Sequence, residues 1–171
     1  MKKNQTTAKP ETPLAPEGPL LRIPELDYGV LDNLLGFALR RAQNALYLDF
    51  YRATAKYNIS PQRFAALVLI AQNKKMRQAQ LAQALGLHRS GALRLVDWLQ
   101  ERGWVERYDD PDDARSWGLV LSKTGKTVFK ELSKIVQEHD VKFQSELGTR
   151  NGEFKMNLEL IAQTGLAEFG K

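Results

Sequence analysis

From Asp27 to Tyr57 the apolar positions recur every three or four residues. Leu31, Leu35, Leu39, Ala42, Leu46, Phe50 and Ala53 form a single stripe, the pattern of an amphipathic helix. About 30 residues at ~1.5 Å each predict a rod near ~45 Å, long for a globular helix and suited to a scaffold shared by two subunits. Asn58 is expected to end it. Ser60-Pro61 reads as a new start, a hydroxyl cap followed by proline in the first turn. The helix then runs from Gln62 to about Gln72, with Phe64, Leu67, Val68 and Ile70 as its apolar residues.

After the polar link Asn73-Lys74-Lys75, a short helix is expected from Gln78 to Leu85, with Leu81, Ala82 and Leu85 turned inward. Gly86 can close it in the left-handed region. Another helix follows from Arg89 to Arg102, its core positions read as Leu93, Val96 and Leu99, and Gly103 stops it. Two helices joined by a short glycine-bearing turn make a helix-turn-helix. Trp104 to Tyr108 alternates as a strand, Asp109 to Ala114 reads as a turn around Pro111, and Ser116 to Leu121 alternates again. A hairpin directly after the second helix predicts a winged helix-turn-helix. Val128, Leu132, Ile135, Val136, His139, Phe143 and Leu147 then mark a long helix from about Thr124 to Leu147. Gly148 and Asn151-Gly152 break it, and a last helix runs from Glu153 to about Leu166.

The fold class is therefore mainly α: a winged helix-turn-helix with long N- and C-terminal helices and one β-hairpin. Residues 1–26 form a Pro-rich arm with five of the seven prolines, Pro10, Pro13, Pro16, Pro19 and Pro24. Proline lacks the amide proton and blocks helix, so a mobile or extended arm is expected, or one that packs on a partner subunit. Residues 27–57 and 124–171 are the expected dimerisation helices, and 58–123 the DNA-binding lobe.

Composition narrows the chemistry. With no cysteine, disulfides, thiolate zinc sites and cysteine nucleophiles are excluded. His88 and His139 are too far apart in sequence for a typical histidine metal site. Neither metal nor cofactor is expected. No apolar run approaches the ~18 residues of a membrane span, and none follows Lys2-Lys3 as a secretory leader would require, so a cytoplasmic protein is expected. His88, Ser90 and Asp97 carry the letters of a hydrolytic triad, but they share one helix without a nucleophile elbow. Catalysis is not expected.

The net charge is +5, and its placement matters more than its size. Residues 74–107 contain Lys74, Lys75, Arg77, Arg89, Arg94, Arg102 and Arg107 against Asp97, Glu101 and Glu106, which accounts for four of the five net charges. A basic helix-turn-helix fits double-stranded DNA, whose phosphates it can neutralise with release of counterions. The second helix opens with His88-Arg89-Ser90, where a recognition helix presents side chains to base edges. Arginine can pair bidentately with guanine, and serine or histidine can reach bases or phosphates. Arg94 falls near the same face. Arg77 and Gln78, where the first helix of the pair begins, complete that set. In the acidic hairpin, Arg115 is the natural tip for a narrow minor groove, and Asp113 could fix its guanidinium.

These residues resemble the MarR family of winged-helix transcription regulators. Leu85-Gly86-Leu87-His88-Arg89-Ser90, Arg94-Leu95-Val96-Asp97 and Leu99 to Arg107 are similar to its recognition helix. Asp113-Ala114-Arg115 with Leu121-Ser122-Lys123-Thr124-Gly125 is similar to its wing. Leu93 and Trp98 depart from it, standing where threonine and a basic residue are frequent. The resemblance implies a homodimer reading a palindromic operator, and a repressor released by a small aromatic acid or its derivative. A ligand-independent architectural protein and an activator of the same fold remain open. Leu39-Arg40-Arg41-Ala42-Gln43 and Ser60-Pro61-Gln62-Arg63-Phe64 are similar to members that control aromatic-acid catabolism. The candidate effector residues are therefore Phe37, Arg40, Arg41, Arg63 and Phe64. Arg41 beside the apolar stripe could bind a carboxylate as a fork of donors. Arg63 and Phe64 sit in a helix's first turn, where anions are favoured. Phe37 or Phe64 could cover an aromatic ring. An intersubunit ion pair for Arg41 and ordinary core packing for the phenylalanines are the competing readings.

Overall fold

The structure is a computed structural model that describes residues 18–110 and 113–166; for 109, 110 and 113–117 the backbone alone is described. Pro10, Pro13, Pro16, Pro111 and Asp112 lie outside the described residues.

The expected first rod is interrupted. A 3-10 turn, Gly29–Asn33, is followed by Leu34 in an extended conformation, and helix α1 spans Leu35–Ala53. Nineteen residues give about 28 Å of axis, not 45 Å. Gly29 has φ +51° and takes its turn with its amide donating to Asp27 Oδ1 at 2.8 Å, so the chain bends where the stripe read straight on. A second 3-10 turn, Ala55–Tyr57, ends at Asn58, whose φ of 47° is left-handed, as expected of a terminator. The described part of the arm is also tied down. Leu20 N donates to Asn44 Oδ1 at 2.9 Å, Arg41 Nε donates to the Leu20 carbonyl at 3.3 Å, and Arg22 pairs with Asp32 at 2.7 Å. Residues 18–34 thus fold back on the first half of α1.

Helix α2, Pro61–Gln72, starts as its sequence predicts: Ser60 Oγ accepts from Arg63 N at 3.2 Å. Helix α3 spans Gln78–Ala84, and Gln80 accepts from the Arg77 amide at 3.0 Å to hold its start. Gly86 at φ +62° makes the turn into α4, Arg89–Glu101. Strands β1 (Val105–Asp110) and β2 (Asp113–Leu121) pair antiparallel from Val105↔Leu121 to Asp109↔Trp117. They extend past the turn expected over Asp109–Ala114. The register shifts after Asp109, and Asp110 stands opposite Asp113. Met76 adds a third short rung against Leu119, whose amide donates to the Met76 carbonyl at 2.8 Å. The approach is tight: a Cβ on Gly118 would lie 2.7 Å from Lys75 Cα.

Helix α5, Lys123–Leu147, is capped by Ser122, whose Oγ accepts from Gly125 N at 2.9 Å and donates to the Gly103 carbonyl. The Ser122 amide donates to the Trp104 carbonyl at 3.0 Å. A 3-10 turn leads to α6, Asn151–Leu166.

Ile59, Leu67, Leu81, Val96, Leu99, Leu119 and Leu132 are fully buried and join α2, α3, α4, the wing and α5 in one core. Leu93 is corrected: it is 42% exposed, and α4 buries Ala92, Leu95, Val96, Trp98 and Leu99 instead. Trp98 is a larger apolar surface than Leu93, and turning it inward rotates the helix away from the leucine-only stripe. No described helix is long and apolar enough to cross a membrane.

Candidate nucleic-acid interface

Helix α4 is anchored on one side and open on the other. Its buried side packs over α3, and the Leu87 amide donates to the Ala82 carbonyl at 2.8 Å to fix the turn between them. His88 takes the N-cap position with extended backbone (φ −66°, ψ 157°) and makes no side-chain cap. Uncapped first-turn amides are free to donate to a phosphate. His88, Arg89, Ser90, Leu93, Arg94 and Asp97 are all exposed. Among the described residues, no side-chain hydrogen bond or ion pair engages Arg89 or Arg94. The first three predicted contacts and Arg94 therefore share one solvent-facing arc.

Arg77 is exposed and Gln78 half-buried at the start of α3. Lys75 lies over the Tyr108 ring at 5.2 Å, so the loop between α2 and α3 carries its charge beside the wing. Asp113 and Arg115 belong to β2 by their backbone, and their side chains lie outside the described atoms.

Behind α4 sits a layer the sequence reading missed. Trp98 and Trp104 meet edge to face at 5.6 Å, with Arg102 Cζ 4.0 Å and Arg63 Cζ 4.1 Å from the Trp98 ring. Each guanidinium lays its flat face on the indole, where the ring's quadrupole attracts the cation. Arg63 thus joins the first turn of α2 to the recognition helix. The signal was present in Trp98, one of the two residues that depart from the family pattern.

The five candidate effector residues fall in two places. Phe37, half-buried, meets the Tyr28 ring at 6.1 Å; Arg40 is exposed; Arg41 holds the Leu20 carbonyl. Phe37 stands about 20 Å of helix axis before Phe50. Phe64 instead packs 6.1 Å from Phe50, and His139 lies edge-on to Phe50 at 6.0 Å and 5.1 Å from Phe143. The His139 side chain is only 8% exposed, with Nε2 3.5 Å from Asp49, which also pairs with Lys142 at 3.2 Å. This aromatic cluster lies where α1, α2 and α5 meet. Nearby, Tyr57 donates a hydrogen bond to Glu131, and Lys56 pairs with the same carboxylate at 3.3 Å. The Tyr57 hydroxyl and the Lys56 ammonium hold the Glu131 carboxyl below its usual range, and the bond to Glu131 raises the tyrosine.

A basic recognition helix behind a glycine turn, backed by α3 and followed by a hairpin, defines a winged-helix DNA-binding protein. A MarR family model matches residues 59–117. A Thauera aromatica protein named as a transcriptional regulatory protein for the hcr operon is 32% identical over 124 residues, 72% of this chain and 75% of its own length. The transcriptional repressor CouR bound to a 23-mer DNA duplex has a TM-score of 0.74 at 33% identity, covering 81% of this chain and 99% of CouR. CouR bound to p-coumaroyl-CoA has a TM-score of 0.71 at 30% identity, covering 82% and 98%. The chain belongs to the MarR family. Its relatives are transcription regulators and not enzymes.

Proposed function

We propose that the protein is a homodimeric transcriptional repressor that holds a palindromic operator and is released from it by an aromatic acyl compound, either the free acid or its CoA thioester. The observation that carries this reading is the joint at α1, α2 and α5. Its aromatic cluster, Phe50, Phe64, His139 and Phe143, is linked through neighbouring Arg63 to Trp98 on the recognition helix. An aromatic ring entering there would press on the helix that touches DNA. The likeness to CouR, seen with DNA and with p-coumaroyl-CoA, supports the same pairing of partners.

Dimerisation is supported by apolar side chains left in water. Leu21, Ile23, Leu26, Val30, Leu34 and Leu35 at one end, and Phe154, Met156, Leu160 and Ile161 on α6, are exposed in the single chain. So many exposed apolar groups mark an interaction surface. Segments 27–57 and 124–171 would form the dimer with the arm over 1–26 beside them, and 58–123 would read DNA. Phe64, in the cluster, would cover the ring, with Phe37 beside Tyr28 as the alternative cover at the other end of α1. Arg63, Arg41 and the exposed Arg40 would meet the carboxylate or the phosphates of a thioester.

The test begins with sedimentation, where twice the 19.4 kDa chain mass is expected at micromolar concentration. Duplexes selected from a random pool then serve in gel-shift titrations with a panel of aromatic acids and their CoA thioesters. At least one should release the DNA and raise the melting temperature of the free protein by mass action. A monomer would overturn the dimer, and a panel that leaves operator affinity unchanged would overturn the effector.

A further inference from the structure

We infer that Leu93 reads a thymine in each half-site, its side chain packing on the C5-methyl group in the major groove. The inference rests on the proposed placement of α4 in DNA and adds a specificity-determining residue to it. At 100° per residue, Arg89, Leu93, Asp97, Ser90 and Arg94 occupy one arc of the helix, and Leu93 falls between Arg89 and Asp97. All five are exposed, whereas every other large apolar side chain of α4, namely Leu95, Val96, Trp98 and Leu99, is buried. Leu93 is therefore an apolar island on a polar face, one turn into the helix.

The flanking charge fits DNA as the occupant. His88, Arg89 and Arg94 surround the leucine, and Arg77 lies exposed at the adjacent helix start. The apolar surfaces that suit a second copy of the chain lie elsewhere, on residues 20–35 and α6. In the major groove the thymine methyl is the apolar feature, and the other base edges present donors and acceptors. Leucine has neither to offer. Against guanine or cytosine it would strip water from a polar edge and leave that edge unpaired. Against thymine it covers a methyl group, so it selects by attraction and by penalty together. Asp97, the next residue along the arc, is an acceptor suited to a cytosine amino group.

The experiment uses the full chain and a duplex selected by it from a random pool. Each thymine of one half-site is replaced in turn by deoxyuridine, which removes the methyl group alone, and Kd is read by fluorescence anisotropy. One position is expected to lose about fourfold in affinity, the value of one buried methyl group. Leu93→Ala should bind the parent duplex more weakly and show no further loss at that position. Because Leu93 is exposed, the variant is expected to keep its circular dichroism. Unchanged wild-type affinity at every deoxyuridine, or undiminished sensitivity of Leu93→Ala to the missing methyl, would overturn the assignment. Failure of the wild-type chain to select any duplex would instead overturn the DNA-binding reading beneath it, and this assignment with it.

Discussion

Gly125 lies so close to Trp104 that a Cβ on the glycine would overlap the Trp104 carbonyl oxygen. The same carbonyl accepts from the Ser122 amide, and Ser122 caps α5. The Leu121-Ser122-Lys123-Thr124-Gly125 stretch is therefore a joint between the end of the recognition helix, the wing and α5. Gly125→Ala forces this joint apart. Overpacking of this kind costs about 1–3 kcal/mol or more. Urea unfolding should show a lower midpoint, whereas Thr124→Ala, at an exposed neighbour, should change it little.

Arg89→Ala and Arg94→Ala should leave the fold intact, because both side chains project into solvent. Loss of a bidentate base contact should cost roughly 1–3 kcal/mol at the selected operator and relax the preference at one position. An arginine on phosphate should instead weaken all sequences alike and flatten the salt slope. Unaltered binding in both variants would mean that α4 does not lie in the groove.

Arg115 stands on β2 among acidic neighbours, so it is the hairpin's natural cation for a narrow minor groove. Arg115→Ala should lose affinity mainly where the operator's flanks are rich in A·T pairs. Equal loss on G·C-rich flanks, measured by competition between the two duplexes, would point to a phosphate contact instead.

Glu131 should give the fold an acid-sensitive limb. Tyr57 and Lys56 depress its pKa in the folded state. A depressed carboxylate contributes stability that is full above the unfolded value of about 4.3 and disappears as pH falls through the folded one. Wild type should therefore be more stable than Glu131→Gln at pH 7, and the gap should begin to narrow as pH falls below the unfolded value of about 4.3. A gap unchanged down to pH 3 in thermal melts would show that the carboxylate's charge is not what Tyr57 and Lys56 hold.

Much of this architecture was legible because its punctuation is local. Ser60-Pro61, Asn58, Gly86 and Gly103 act through their own backbone geometry, and each stands where the pattern put it. Two errors share a cause in the periodicity itself. Leu31 and Leu35 keep the helical spacing across Leu34, where the backbone is extended, and the stretch read as helix from Asp27 includes Gly29 at positive φ; spacing alone registers neither. In α4 a stripe drawn through Leu93, Val96 and Leu99 differs by a small rotation from the buried set, and the weight of Trp98 decided between them. The aromatic cluster was less accessible. Phe64, His139 and Phe143 were seen as separate apolar positions, and only packing of α2 on α5 brings them together. The Arg63–Trp98 contact joins residues 35 positions apart with no pattern between them.

The rung between Met76 and Leu119 has a mechanical consequence. A two-stranded ribbon on its own is marginal in water and would sample many tilts. Here its base is sewn to the strap before α3, and Gly118 lets the two backbones close to contact. Wing base and helix pair then travel as one stiff tool, without a joint of their own. The orientational freedom the hairpin would otherwise surrender at every encounter with DNA is surrendered once, as the chain folds, and the cost of binding falls accordingly. Adjustment to a duplex is left to the handles, α1, α5 and α6, so a ligand bound at their root, as proposed above, would steer the whole head without deforming the surface that reads.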